Sequence, residues 1–189
     1  MKKFGIVLAI VAAVAVLAVL KGVGVYNTIV RNNVTVSEKW GQVQNVLQRR
    51  ADLIPNLVQT VKGYAAHEKQ IFENVAAARA KLGGARTPEE AMKANAEISS
   101  ALSRLLVIVE NYPQLKADQT FTRLMDELAG AENRITVERM RYNEAVRAYN
   151  TTIRVFPSNV VAGIGGFAAK PFFDAEERAK EVPKVDFGK

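Results

Sequence analysis

The 189-residue sequence contains no cysteine. That excludes disulfides, thiolate nucleophiles and cysteine-held zinc or iron–sulfur centres, and leaves the compartment open. It has one histidine, His67. A histidine metal site needs further ligands converging from other helices, and the paired Glu-x-x-His pattern of di-metal bundles needs two copies. Neither is present, so His67 reads as a surface or interface residue. No stretch alternates apolar and polar residues over a useful length, so no sheet is expected. Serine, lysine and histidine form no recognisable nucleophile arrangement. Lysine and arginine exceed aspartate and glutamate by 26 to 19, a net charge of +7. The two signs alternate along the chain rather than forming a basic block, which makes nucleic acid a poor candidate partner. No catalytic, cofactor-binding or metal-binding residue is assigned, and a non-enzymatic protein is expected.

What is present starts with an apolar run. Phe4 to Leu20 is uncharged over 17 residues and is flanked by Lys2, Lys3 and Lys21. Crossing the hydrocarbon core takes about 20 residues, with a lower limit near 17. Lys21 can extend toward the headgroups, and Tyr26 suits the interface. A cleaved signal peptide has a similar shape, but the small-residue pair Ala13 and Ala15 lies inside the apolar core rather than in a polar stretch after it. Residues 1–26 therefore read as a retained signal-anchor. Lys2, Lys3 and the terminal amine nearly balance Lys21, Arg31 and Lys39 across the membrane. The concentration of charge at the N-terminus points to an inside N-terminus, with the following domain outside the cytoplasm.

Residues 27–156 read as a helical domain. Thr35-Val36-Ser37-Glu38 fits a capping box. From Val36 a 4-3 apolar spacing runs through Trp40, Val43, Leu47, Arg50, Ile54, Leu57, Val61, Tyr64, Glu68, Ile71, Val75 and Ala78 to Leu82, before Gly83-Gly84 stops it. Thr87-Pro88-Glu89-Glu90 opens a second helix with an N-cap, a first-turn proline and a capping glutamate; Pro113 ends or restarts it. A third long segment, about Gln114 to Arg154, spans some 60 Å at about 1.5 Å per residue. Pro157 breaks it. Residues 157–189 form an apolar tail with glycines and phenylalanines, including a short helical turn expected from Asp174 and an end expected to fray after Pro183. Within the tail Gly163-x-Gly165-x-x-Ala168 matches a dinucleotide fingerprint on paper, but that motif works between a strand and a helix, and no strand is near.

Arg50, Glu68 and Glu138 occupy apolar-stripe positions. Buried charges persist only when paired and hydrogen-bonded, so a cross-helix pair is one expectation. The other is a broader stripe whose long side chains reach solvent at its edge. Tyr142-Asn143 and Tyr149-Asn150 repeat one heptad apart, and buried tyrosine hydroxyls need partners. Arg50, Glu68, Glu138, Tyr142 and Tyr149 are therefore candidates for a structural polar core. Val160, Val161, Ile164, Phe167, Phe172 and Phe173 are candidates for a membrane-facing tail surface, packing on the helices being the alternative.

Three stretches, RRADLIPNLVQTVKGYAAHE (Arg49–Glu68), AENRITVERMRYNEAVRAYN (Ala131–Asn150) and FPSNVVAGIGGF (Phe156–Phe167), make the chain resemble the LemA family of bacterial proteins over nearly its whole length. The resemblance implies a single-pass protein of the bacterial inner membrane with an antiparallel helical-bundle domain. A magnetosome-membrane protein is among such relatives, and their genes often neighbour those of membrane metalloproteases or other small membrane proteins. It implies no catalytic residues.

The fold therefore expected is all-α: a transmembrane helix followed by an up-down four-helix bundle. The stretch Arg49 to Tyr64 decides its topology. Either Asp52 caps a new helix with Pro55 in its first turn, or Pro55 only kinks one long helix at about 3 kcal/mol. The unbroken apolar register favours the kink; the four helices implied by the resemblance favour a reversal at Asp52–Pro55, which is the expectation adopted. It gives helices of about 17, 28, 24 and 41 residues packed near 20° and returns the tail to the anchor. The expected function is a membrane-anchored scaffold or interaction protein, bound to lipid through its anchor and to other membrane proteins, a membrane protease among them, or to itself. The alternative is a membrane-surface binding or shaping protein that uses the apolar tail and basic residues.

Overall fold

The computed structural model describes residues 2–173; the turn expected from Asp174 and the end after Pro183 lie outside the described residues. Among the described residues six helices follow in chain order: α1 (Lys2–Lys62), α2 (Lys69–Gly84), α3 (Pro88–Val109), α4 (Pro113–Lys116), α5 (Gln119–Thr152) and α6 (Ser158–Ile164). No strand occurs among the described residues. The chain forms two compact units. One holds the chain up to Trp40 and again Arg141–Phe172; the other holds Gly41–Met140 and, from the C-terminal segment, Phe173.

The expected reversal at Asp52–Pro55 does not occur. α1 is one helix of 61 residues with Pro55 inside it, so the four helices of the expected lengths are not found. The physical reason lies one turn before the proline. Pro55 lacks the N–H that would bond the Ala51 carbonyl. That carbonyl instead accepts a hydrogen bond from Arg79 Nε of α2 at 2.9 Å. Asp52, the expected cap, accepts from Gln48 Nε2 at 2.8 Å, four residues earlier in the same helix. The expected capping box is interior too: the Thr35 and Ser37 hydroxyls donate back to the Arg31 and Asn33 carbonyls at 3.1 and 3.2 Å, as helix-interior hydroxyls do.

The chain turns instead at residues 63–68, where the apolar pattern alone carries a helix on to Leu82. Gly63 weakens helix continuation, and the Tyr64 and Ala65 N–H groups fold back onto the Val61 carbonyl at 3.0 and 2.9 Å. The turn is pinned by Tyr64, whose hydroxyl donates to Asp118 Oδ2 at 2.9 Å. Asp118 Oδ1 accepts from the Thr120 and Phe121 N–H groups at 2.7 and 3.0 Å; it serves as N-cap of α5, which starts later than the sequence pattern implies. The Phe121 N–H, then the Tyr64 hydroxyl, hold the Asp118 carboxyl below its ordinary range, and the bond to Asp118 raises the Tyr64 phenol.

In the unit that contains Gly41–Met140, the apolar core draws on Ile54, Leu57 and Val61 of α1, Phe72 and Val75 of α2, Ile98, Leu102 and Leu105 of α3, Leu115 of α4, and Phe121, Leu124 and Leu128 of α5. Each such side chain contributes about 1.5–3 kcal/mol on burial. α2 runs back along α1, with Lys62 Nζ 5.3 Å above the Phe72 ring and Arg79 at Ala51. α3 begins as its sequence indicates: Thr87 accepts from the Glu90 N–H at 3.2 Å with Pro88 in the first turn, while the Glu90 carboxylate accepts from the Arg86 N–H at 2.7 Å.

In the other unit Ile29 and Val36 of α1, Tyr142, Val146, Tyr149 and Ile153 of α5, and Ala162 of α6 are buried. Here α1 and α5 run antiparallel, tied by Asn32 Nδ2 to Thr152 Oγ1 at 2.9 Å and by the Trp40 and Tyr142 rings at 5.5 Å. Among the described residues one helix, α1, is long and apolar enough to cross a membrane. Its apolar part, Phe4–Leu20, is exposed throughout.

The Pro55–Arg79 relation is testable by a double-mutant cycle. Arg79→Met is expected to destabilise by about 1–2 kcal/mol, the worth of a charge-assisted hydrogen bond to an otherwise orphaned carbonyl. In a Pro55→Ala background, where residue 55 regains its N–H, the same change should cost clearly less. Chemical unfolding of the four variants measures the coupling, and purely additive costs would contradict it.

Candidate functional site

Two polar clusters and one apolar surface are the features that do more than fill a core. The first cluster sits on three consecutive residues of α1. Arg49 reaches Glu127 of α5 at 3.6 Å. Arg50, only 5 % exposed, donates from Nη1 to Asn95 Oδ1 of α3 at 2.6 Å and pairs with Glu132 of α5 at 2.9 Å. Its Nη2 donates to Ser99 Oγ at 3.1 Å, and that hydroxyl donates in turn to the Asn95 carbonyl at 3.2 Å. Ala51 follows with its carbonyl on Arg79 of α2. A guanidinium at a stripe position is thus tolerated because its Nη1 and Nη2 groups are used across two helix interfaces.

The second cluster lies on α5 within the other unit. The Tyr142 hydroxyl donates to the Pro171 carbonyl at 3.1 Å and the Tyr149 hydroxyl to the Ala168 carbonyl at 3.0 Å. Asn150 makes a two-way bond with Lys170: its Nδ2 donates to the Lys170 carbonyl and its Oδ1 accepts from the Lys170 N–H, both at 2.8 Å. An extended segment therefore runs along α5, held by side chains rather than by a sheet. Burial pushes the Tyr149 phenol above its ordinary range, so it holds its proton as a donor.

The apolar surface belongs to the same unit. α6 lies against α1, and an apolar cleft of about 330 Å³ between them is lined by Val19, Gly22, Val23, Tyr26, Val161, Ile164 and Gly165. The Phe167 ring meets Tyr26 edge-on at 5.6 Å. The glycines of the supposed dinucleotide fingerprint end α6: the Phe167 N–H bonds the Ala162 carbonyl at 3.0 Å and the Gly166 N–H the Gly163 carbonyl at 3.4 Å. Gly166 takes φ +69°, as this C-terminal motif requires. A Cβ on Gly165 would lie 2.7 Å from the Phe167 ring.

The candidate residues are distributed as follows. Arg50 and the charged partner Glu132 meet across α1 and α5, whereas Glu68 lies half-buried at the turn before α2 and Glu138 half-buried on α5. Tyr142 and Tyr149 are both buried and face the C-terminal segment. Val160 and Ile164 are exposed, Val161 and Phe167 half-buried, and Phe172 at the border of exposure; Phe173 is buried, with the Arg139 guanidinium 5.9 Å from its ring. Sequence reasoning had no hold on Asn95, Ser99 and Glu132, which become partners only through tertiary packing. Asn150 was visible as half of a repeated Tyr-Asn pair; Asp118 was missed, and its signal is a short polar residue ahead of an apolar run.

These features define an all-helical protein with one N-terminal helix apolar enough to cross a membrane and with buried polar groups that join its helices. The chain belongs to the LemA family, whose profile matches residues 39–187. It is similar to the magnetosome protein MamQ 2 of Paramagnetospirillum magneticum, at 30 % identity over 95 % of this chain and 73 % of that protein. Magnetosome protein MamQ of Magnetospirillum gryphiswaldense is 27 % identical over 85 % of this chain and 68 % of its own length. Protein LemA of Metamycoplasma hominis is 23 % identical over 74 % and 64 % respectively.

Two outcomes follow for the clusters. Arg50→Ala is expected to cost about 2–3 kcal/mol, because it leaves the Asn95 amide oxygen without its donor in the core, while Glu132→Gln on the solvent side should cost less than about 1 kcal/mol. Thermal unfolding distinguishes them, and equal costs would refute a buried donor node. For Tyr149 the folded-state pKa lies above the unfolded one, so its contribution is complete below about pH 10 and is lost as pH rises through the folded value. Tyr149→Phe should remove about 1 kcal/mol at neutral pH and flatten the alkaline limb of stability against pH; an unchanged limb would contradict that assignment.

Proposed function

We propose that the protein is a non-enzymatic, membrane-anchored scaffold of the LemA type, an antiparallel helical assembly that holds neighbouring membrane proteins, a membrane protease among them, or further copies of itself. The observation that carries this reading is where the buried polar chemistry goes. Arg50, Asn95 and Asn150, the polar residues buried among those described, bond helix to helix or helix to tail. No group of three histidine, aspartate or glutamate side chains able to hold a metal gathers among the described residues. The surfaces left for interaction are apolar ones: the unpacked face of Phe4–Leu20, and exposed Val107, Val137 and Met140. Mutual contact of such surfaces within or beside a bilayer rests on packing and shape rather than on reaction chemistry.

The concentration of charge at Lys2 and Lys3 supports a domain outside the cytoplasm. Because the chain has no cysteine, one introduced thiol tests both statements. Val107→Cys lies 69 % exposed on α3 and should react, on intact cells, with a membrane-impermeant thiol-reactive crosslinker to give discrete adducts of higher mass. A labelled chain that stays monomeric would defeat the scaffold reading. A thiol that reacts only after the membrane is opened would reverse the orientation and leave the scaffold standing.

A further inference from the structure

We infer that α6, with Phe156 before it, is an interfacial wedge that sits among lipid acyl chains beside the end of the membrane span. The inference rests on the reading of Phe4–Leu20 as that span.

The argument is one of depth. Val19, Gly22, Val23 and Tyr26 are spaced three, four and seven residues apart and share one face of α1. Val19 belongs to the uncharged run, and Lys21 follows it. Val161, Ile164 and Gly165 of α6 line the same cleft as those four residues. A side chain that shares a cleft with Val19 and Val23 lies at their depth. Where Val19 meets hydrocarbon, so does Ile164. Tyr26 and Phe167 close the other end by ring contact at 5.6 Å, the level at which an aromatic belt belongs.

Exposure supports the same placement. Ile164 is 86 % exposed and Phe156 82 %, more than any other large apolar side chain among those described, the unpacked span included. Val160, four residues before Ile164 on the same face of α6, is 52 % exposed. In water such a patch would be costly. α6 has seven residues, about 10 Å of helix, too short to cross a bilayer and suited to lying at one interface. Arg154 and Lys21, both exposed, flank the apolar surface with cations that suit anionic headgroups. The wedge is also held from both sides in the chain. It follows α5 directly, and the segment after it is bonded to α5 through Tyr149, Asn150 and Tyr142. Acyl chains are the occupant because the cleft continues the surface of the span, whose surroundings at that depth are lipid.

The full chain, reconstituted in vesicles of phosphatidylethanolamine and phosphatidylglycerol, provides the test. Single cysteines at Val19→Cys, Phe156→Cys, Ile164→Cys and Val107→Cys carry a nitroxide, and accessibility to oxygen is compared with accessibility to a water-soluble nickel chelate. All four positions are exposed, and unchanged helical circular dichroism confirms folding. Labels at 156 and 164 are expected to share the oxygen-favoured ratio of the label at 19, severalfold above that at 107. If 164 matches 107 while 19 remains in lipid, the wedge is wrong and the span stands. A label at 19 that is itself open to the chelate overturns both. Spin–spin broadening at 164 that disappears on dilution with unlabelled chain assigns the surface to a second copy, and overturns the lipid assignment.

Discussion

The carbonyl of Ala51 must find a donor, and much of the larger unit's architecture is consistent with that need. Pro55 takes away the intrahelical partner, and a buried carbonyl without a bond costs enough to end a helix. Arg79 supplies the bond from α2, so helix continuity and the docking of α2 become one event. The two residues before Ala51 extend the same logic. Arg49 engages α5, and Arg50 engages α3 and α5. Three successive positions of α1 thus bind three different helices. A buried arginine in an apolar core is usually a poor source of net stability; here its bonds tie α3 and α5 to α1.

This node explains which parts of the fold were legible. Helical content, the helical form of the N-terminal apolar run, the stop at Gly83-Gly84 and the start at Thr87-Pro88 are local events, written in local residues, and they stand where the sequence places them. The reversal was misplaced because two local signals conflicted. Asp52 and Pro55 look like a helix start, while Val43, Leu47, Ile54, Leu57 and Val61 keep an unbroken apolar register. The register prevailed through a residue 28 positions away, Arg79, which no window around the proline includes. The true turn at residues 63–68 was hidden for the opposite reason. Tyr64 and Glu68 fit the 4-3 spacing, yet Gly63 and the bond from Tyr64 to Asp118 favour a turn. In the candidate site Arg50 and the two tyrosines could be named from their positions, but Asn95, Ser99 and Glu132 could not, since nothing local marks them as partners.

The C-terminal segment shows the same division between pattern and partner. Its phenylalanines and valines announce an apolar surface, but not how that surface is apportioned. Gly166, at positive φ, ends α6 and turns the chain so that Phe167 meets Tyr26. The following carbonyls then fall to Tyr149, Asn150 and Tyr142. Those three donors satisfy backbone that belongs to no helix or sheet, which is what allows an extended segment to lie on a helix without a strand partner. Val160 and Ile164 are left outward because the neighbouring positions, Val161 and Ala162, are the ones taken up by α1 and the core.

The three stretches that make the chain resemble the LemA family correspond to these devices. Arg49–Glu68 contains the node, the proline and the turn; Ala131–Asn150 contains Glu132, Tyr142, Tyr149 and Asn150; Phe156–Phe167 contains α6 and its glycine end. The bonded residues of these stretches do not gather at one centre. They are dispersed over joints: helix to helix at Arg50, helix to tail at Tyr149, tail to anchor at Phe167. Such a distribution fixes one packing of the helices and the tail. A buried guanidinium and a set of side-chain-to-backbone bonds contribute little net energy but penalise every alternative register, since each mispacking would leave an arginine, an asparagine or a carbonyl unpaired in a dry core. Held in this way, the tail keeps an apolar surface beside Val19 to Tyr26 in a fixed position, which loose apolar packing alone would not do.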